Sequence, residues 1–385
     1  MFPYESLMPR LAEQCCDAGA YLNLAQGCAD NGILWCWHGQ RPMGAQLFLS
    51  VPLRLGMGAD GVIPLNALLL CLSVLGAVRA VRLMARPPVN PGQRRWVEAL
   101  LCVAFLGVHV AFAGAMVRNS LMDLPAGVCA LLGIWALSVA ALRNKSWLFV
   151  ASGFAIGVSA TIRAFYLYPG LICGIVVALI CALRRATWLG GALFLLALSV
   201  PLSFQVAFTH AFTGSWSFLD PSSVGAAFQD QLTDTAYGKD TILPSRVFTY
   251  DASECFARAR GLADSVRKHA WGEAACFVGY KQWFYFGSFT PGGRVYLHDP
   301  SERVFSVALL IGNLGALVAG AAWVLMHGRK HPLFVAVFLY LGAIWGEASS
   351  LRPEARYAVV VPIAAWVFAL AGATELGLRL RKRLA

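Results

Sequence analysis

The sequence predicts an all-α fold, a polytopic bundle of about nine transmembrane helices. Hydrophobic residues make up 58% of the 385 residues and charged residues only 13%, whereas soluble domains carry about 25% charge. The mean hydropathy is +0.62. Apolar stretches of about 20 residues, the length that crosses a bilayer as a helix, recur along the chain. Because lipid offers no partners for backbone polar groups, such stretches must be helical.

Nine stretches have the length and composition of a span, or nearly so. They divide the chain into an outer segment 1–60, a six-span bundle 61–208, a loop 209–303 and a three-span bundle with a basic tail, 304–385. The predicted spans are residues 61–81, 98–117, 121–142, 146–162, 165–183, 187–208, 304–326, 332–348 and 357–378.

The links between the spans alternate between rich and poor in basic residues. One set of links and the C-terminal tail hold fifteen Lys and Arg residues, and the opposite short links hold four. Because basic links stay in the cytoplasm, the poor set and the segments 1–60 and 209–303 are predicted to face outside. The net charge of +11 is therefore an orientation signal, and no nucleic-acid partner is expected. The rich set is Arg79, Arg82, Arg86, Arg94, Arg95, Arg143, Lys145, Arg184, Arg185, Arg329, Lys330, Arg379, Arg381, Lys382 and Arg383; the poor set is Arg118, Arg163, Arg352 and Arg356.

The first 40 residues lack the basic start and apolar core of a signal peptide. The first predicted span would then enter the membrane from outside with no preceding helix to carry the N-terminus across. We expect an additional helix upstream of this sequence. The alternative is spontaneous transfer of a weakly charged tail.

Six cysteines fall on the predicted outer face, where an oxidising environment permits disulfides. Among them, Cys255 and Cys276 form the pair that we expect first. No Cys or His spacing has the pattern of a zinc site. The six are Cys15, Cys16, Cys28, Cys36, Cys255 and Cys276.

The first candidate for chemistry is an acid near the N-terminus. On a helix, Asp17 and Tyr21 share a face one turn apart, and a carboxylate on the outer face can serve as a general base. The alternative is that Asp17 only caps its helix.

Further on, Arg41-Pro42-Met43-Gly44 opens an apolar segment that is too short and proline-broken to span. This segment predicts an interfacial or re-entrant helix.

A second acid and two arginines occupy the same predicted face. Asp123 lies just before a proline at the start of a span, and a carboxylate at the mouth of a helix bundle is usually functional. Helix capping is the alternative. Arg163 lies in a tight link and Arg356 precedes the last span, where their planar guanidinium groups would suit a phosphate. The alternative for Arg356 is a local ion pair with Glu354 or Glu347.

The order of these elements resembles the GT-C superfamily of integral-membrane glycosyltransferases, which includes protein O-mannosyltransferases and the aminoarabinose transferase of lipid A. That family carries a catalytic acid in a D-x-x-x-Y or D-E-x-x-Y context on its first outer loop. Asp17 and Tyr21 match this pattern. An R/P-P-G-like element follows in the family, and Arg41-Pro42-Met43-Gly44 occupies its place.

Two further elements extend the resemblance over most of the chain. An acid before a proline on the second outer loop corresponds to Asp123, and an E-x-R-Y element before the last span corresponds to Glu354-Ala355-Arg356-Tyr357. The chain departs from the family in lacking its first span and in having only three spans after the long loop. The missing span bears on how Asp17 would be anchored.

The resemblance implies transfer of a sugar from a polyprenyl-phosphate-linked donor to a glycan, lipid or protein acceptor at the outer face of a bacterial inner membrane. It implies Asp17 as the general base and Asp123 as the group that orients the acceptor or a divalent cation. No cofactor is demanded, and Mg²⁺ or Mn²⁺ stays open. The substrate-binding residues expected on this basis are Tyr21, Arg41, Arg163, Glu354, Arg356 and Tyr357.

Two other functions stay open. An O-antigen ligase or polymerase also combines many spans with one large outer loop, but it relies on outer Arg and His, so Asp17 distinguishes the two readings. A lipid-linked sugar transporter or flippase would place ionisable groups mid-membrane and contain repeated halves. The spans hold few such groups, chiefly His109 and Glu347, and the sequence has no internal repeat.

Overall fold

The computed structural model of this chain describes residues 16–37, 41–85, 91–113, 116–117, 122–184, 187–220, 266–275, 300–350 and 359–384. Within these ranges the regular structure is helical and contains no β-strand. Short 3₁₀ turns occur at Ile33–Cys36, Ala59–Gly61 and Ala164–Tyr166. The longer helices are α1 (Cys16–Asn31), α2 (Met43–Arg54), α3 (Val62–Ala85), α4 (Pro91–Ala113), α5 (Asp123–Arg143), α6 (Ser146–Ile162), α7 (Leu167–Ala182), α8 (Trp188–Thr213), α9 (Pro300–Gly328), α10 (Leu333–Ser350) and α11 (Val360–Leu384).

Seven helical segments of the described chain are long and apolar enough to cross a membrane. Two shorter apolar helices, Ser146–Ile162 and Leu333–Ala348, accompany them. Together they coincide with the nine predicted stretches, so the prediction of an all-α polytopic membrane protein is confirmed. The seven are Ala59–Met84, Trp96–Ala113, Asp123–Arg143, Ala164–Ala182, Trp188–Thr213, Ala308–Gly328 and Val360–Gly377.

Two helices extend well beyond the predicted span limits at their polar ends. The helix α4 begins at Pro91, ahead of the predicted residue 98, and α11 continues to Leu384, beyond the predicted residue 378. Hydropathy marks only the part of a helix that lies in lipid. Arg, Lys and Leu are good helix formers, so the helices continue through their polar ends.

The chain forms two compact units, and every candidate site residue with a described side chain belongs to the first. The first unit comprises Met1–Gly76, Ala113–Ala140 and Asn144–Pro221; the second comprises Ala77–Phe112, Ala141–Arg143 and Ser222–Ala385.

The first unit is built on close contacts between α5, α6 and α8. A Cβ atom at Gly153 of α6 would collide with the backbone carbonyl of Phe194 in α8, so only glycine permits this approach. The hydroxyl of Ser152 donates to the carbonyl oxygen of Gly133 in α5 at 2.8 Å. Small residues and interhelical hydrogen bonds are the usual means of packing helices in lipid.

The N-terminal helices pack onto the same unit through a disulfide and a small apolar cluster. Cys28 and Cys36 form a disulfide that joins the end of α1 to the following 3₁₀ turn. Both cysteines are buried with Met43 of α2 and Phe208 of α8. The predicted short helix after Arg41 is therefore present as α2, with Pro52 inside it, and the disulfide and this cluster fix its start beside α8.

In the second unit, α9 packs against α11 through two tryptophans that cross between the helices. Trp366 donates its indole N–H to the Oδ1 atom of Asn313 at 2.7 Å. Trp323 donates to the carboxylate of Glu375 at 3.0 Å. These bonds satisfy polar groups that lipid could not, and they fix the register of the two helices.

Candidate functional site

Tyr21 holds two arginines at one end of the first unit. Its side chain is 3% exposed on α1, and its hydroxyl accepts a hydrogen bond from Nη1 of Arg163 at 3.0 Å. On the ring, the guanidinium carbon of Arg41 lies 4.3 Å from the centroid, a distance at which a cation and an aromatic face attract. One side chain thus brings together two guanidinium groups from segments that are far apart in sequence.

Arg163 is itself oriented by a carboxylate. Its Nε atom lies 3.1 Å from Oδ1 of Asp123, and the two side chains are only 15% and 4% exposed. Arg163 follows the last residue of α6 with an extended backbone, φ −140° and ψ 113°, which directs the chain out of the helix. A buried ion pair of this kind needs good geometry and additional hydrogen bonds to be tolerated, and Tyr21 supplies one.

Asp123 does not cap α5, so that alternative is wrong. The helix begins at Asp123, and Met122 occupies the N-cap position without any side-chain cap hydrogen bond. The carboxylate lies instead in the first helical turn, where the helix dipole favours a negative charge. Asp123 therefore orients Arg163 from the start of α5, while Arg163 extends from the end of α6.

A close backbone contact places Arg41 in the same cluster. A Cβ atom at Gly44 of α2 would lie 2.5 Å from the carbonyl oxygen of Thr161, a backbone atom of α6. Because the obstruction is backbone, it cannot move aside as a flexible side chain would. Gly44 is three residues after Arg41 and Thr161 is two before Arg163, so this contact holds the two arginine-bearing segments side by side.

Gln205 supports the site and was not among the predicted residues. This fully buried side chain of α8 accepts from the backbone N–H of Met43 at 2.9 Å. Its amide nitrogen donates to the carbonyl oxygen of Phe218 at 3.0 Å. The start of α2 is therefore fixed to the segment that follows α8. An amide side chain inside a predicted span is the sequence signal that points to Gln205.

The structure describes the remaining predicted residues only in part. Asp17 lies on α1 one turn before Tyr21, so the two residues occupy the same face of one helix, as predicted. The side chain of Asp17 itself is outside the described part of the structure. Glu354, Arg356 and Tyr357 fall in residues 351–358, outside the described part of the chain. Their proposed roles stay predictions.

The structure shows a disulfide that was not singled out in advance and does not test the pair that was. Cys28 and Cys36, two of the cysteines assigned to the oxidising face, are joined. Cys255 and Cys276, the pair expected first, lie outside the described residues. The spacing of cysteines on one face permitted several pairings, and the sequence offered no reason to favour the short one.

Within the part of the chain that the structure describes, no group of three or more His, Cys, Asp or Glu side chains is suited to hold a metal ion. Asp123 is the carboxylate of the described cluster, and it faces the guanidinium of Arg163. The described residues therefore identify no ligand set for Mg²⁺ or Mn²⁺.

The fold and this cluster define a class: a multi-pass, all-α membrane protein with a Tyr–Arg–Asp cluster where α5 begins and α6 ends. Comparisons with protein-family models, with curated proteins and with solved structures found no match for the chain.

Proposed function

We propose that this protein transfers a sugar from a polyprenyl-phosphate-linked donor to an acceptor at the outer face of a bacterial inner membrane. The observation that carries the proposal is the meeting of Tyr21, Arg163 and Asp123 at one end of the helix bundle. These residues come from separate segments, and each was a candidate on sequence grounds. The short links at that end belong to the set poor in Lys and Arg, which favours the outer face.

The donor has three parts with different solvent requirements, and this location suits all of them. Its polyprenyl chain must lie in the bilayer, its phosphate at the interface and its sugar in water. The cluster lies at the ends of apolar helices, which is where a span would meet the interface between lipid and water. Arg41 and Arg163 lie on opposite parts of Tyr21, the ring and the hydroxyl, and their charges suit the phosphate.

In the proposed reaction, an acceptor hydroxyl attacks the anomeric carbon of the sugar. The bond between that carbon and the phosphate oxygen breaks, and the leaving polyprenyl phosphate keeps the electron pair. Asp17 accepts the proton of the hydroxyl as general base. Arg163, held in one orientation by Asp123 and Tyr21, stabilises the charge that develops on the phosphate. Arg356 is a further candidate for this role.

The location of the cluster favours this reaction over transport. Transporters bind their cargo near the bilayer midplane at broken helices. Arg163 and Asp123 instead stand where one apolar helix ends and another begins. A fixed cluster at a helix terminus suits chemistry at the interface better than passage through the membrane.

Binding of the leaving group tests the proposal directly. Purified full-length protein in lipid nanodiscs is titrated with undecaprenyl phosphate, and complexes are counted by native mass spectrometry. Lysine keeps the positive charge of Arg163 but lacks the planar guanidinium group that can donate two parallel hydrogen bonds to one phosphate. We expect Arg163→Lys to bind about tenfold more weakly, equivalent to the loss of one hydrogen bond to a charged group.

Arg82→Lys is the matched control. Arg82 also pairs with a carboxylate, Nε to Oε1 of Glu98 at 2.9 Å, but it lies in the set of links predicted to be cytoplasmic. Binding by Arg82→Lys should equal that of the wild type. Equal loss in both variants, or no binding by the wild type, would contradict the proposed phosphate role of Arg163.

A further inference from the structure

We propose that residues Ile33, Leu34 and Trp35, the apolar tip, insert into the lipid–water interface of the bilayer and anchor the N-terminal segment there. This inference does not depend on sugar transfer. The three side chains are 43%, 64% and 62% exposed, respectively. They are consecutive and apolar, and they project from a turn outside the helices long enough to span.

Two backbone constraints shape the turn that carries the apolar tip. Gly32 adopts φ 95°, a conformation that favours glycine, and this turns the chain sharply out of α1. The disulfide between Cys28 and Cys36 then closes the turn, and Cys36 is completely buried. The exposed residues are therefore held away from the protein by the same bond that buries their neighbour.

The tip lies at the level where a membrane-spanning helix ends. Trp37 stacks on Phe212 with ring centroids 5.2 Å apart, and Phe212 belongs to the last turn of α8. Trp216 follows the end of that helix, stacks on His210 at 3.8 Å and is 72% exposed. Aromatic residues at the end of a span mark the membrane boundary, so the apolar tip lies beside the end of a helix that is long and apolar enough to cross the membrane.

The chemistry of the tip favours lipid over other occupants. Residues 32–37 contain no charged side chain, and Trp35 supplies the amphipathic ring that the headgroup region prefers. An aliphatic pair beside a tryptophan is typical of segments that lie in the interface. Anchoring there would hold α1, with Asp17 and Tyr21, at the depth of the lipid headgroups.

Photo-cross-linking tests the proposal in the full chain. Leu34 is replaced by the photoreactive amino acid p-benzoylphenylalanine, and the protein is irradiated in nanodiscs of phosphatidylethanolamine and phosphatidylglycerol. Intact-mass spectrometry should detect protein carrying one phospholipid. The control position is Gln26, an exposed residue of α1 that donates to Asp30 at 2.8 Å. It should give several-fold less lipid adduct.

If the substitution at position 34 disturbs the turn, the same substitution at Ile33 provides an independent measurement. Lipid adducts at position 33 or 34, well above those at position 26, support insertion. Equal adducts at the tip and at position 26, or no adduct at either tip position, overturn it. The same protein is also irradiated in native membranes. A protein conjugate there, in place of lipid adducts, would identify the tip as a protein-docking surface and would also overturn the proposal.

Discussion

The guanidinium of Arg163 lies 3.1 Å from the carboxylate of Asp123, and both side chains are largely buried. The pair joins the end of α6 to the beginning of α5. A charge this far from water is tolerated because its partner compensates it. The ion pair therefore fixes how the two helix ends meet and in which direction the guanidinium points.

Removing one member of this pair should cost more stability than removing both. Asp123→Leu or Arg163→Leu alone leaves one buried charge, at a cost of about 3–5 kcal/mol. The double variant buries neither charge and should unfold at a higher temperature than either single variant. Thermal unfolding in detergent, followed by size-exclusion chromatography, ranks the three variants by unfolding temperature. A double variant less stable than both single variants would show that the pair is not a compensated buried pair.

Gly44→Ala should move Arg41 away from Arg163. The added methyl group would overlap the backbone carbonyl of Thr161, so α2 must shift from α6 at a cost of about 1–3 kcal/mol. Gly27→Ala is the matched control, because a Cβ there meets nothing within 4 Å and alanine favours the helix. The melting temperature should fall for Gly44→Ala alone. Equal effects of the two substitutions would refute the close contact.

The disulfide between Cys28 and Cys36 should stabilise the N-terminal helices. It closes a short loop, with a sequence separation of 8, so the loop-entropy model gives about 2–3 kcal/mol. Replacing both cysteines by serine should lower the melting temperature by the corresponding amount. Cys71→Ser, at an exposed free cysteine, is the control and should have little effect. A maleimide gel-shift that finds Cys28 reactive in the oxidised wild type would contradict the bond.

The helices could be predicted because one physical rule governs them. Lipid requires every backbone polar group to be bonded within its segment, so length and hydropathy were enough to locate all nine apolar helices. The helix limits were less certain, since hydropathy does not register polar turns such as those at the start of α4. Packing between helices was not predictable, because a contact such as that between Gly153 and the backbone of Phe194 depends on how closely the two helices approach each other.

Part of the candidate site could also be predicted. Tyr21 and Arg41 were candidates in the outer segment 1–60, Asp123 and Arg163 were candidates at the ends of spans, and the structure brings the four together. Which of them pair was not contained in the sequence, because pairing depends on how the helices pack. Gln205 was visible in the sequence only as an amide inside a predicted span, and its bonds to Met43 and Phe218 depend on the same packing.

The orientation prediction follows from the fifteen-to-four bias in basic residues. Alkaline phosphatase, which is active only outside the cytoplasm, should be active when fused after Ser222 and inactive when fused after Arg329. A cytoplasmic reporter should give the opposite pattern at the same two positions. Activity of the phosphatase after Arg329 alone would reverse the orientation and place the Tyr21 cluster in the cytoplasm.

The central claim, that Asp17 serves as the base of a sugar transfer, is tested most directly by Asp17→Asn. Asparagine is nearly isosteric with aspartate but cannot accept the proton. The measurement is transfer of labelled sugar from a polyprenyl-phosphate donor to membrane acceptors, with expression and melting temperature compared with the wild type. We predict a folded, inserted protein whose transfer rate falls by about 10²–10⁴, the usual contribution of a positioned general base. Near-normal transfer by this variant would contradict the account.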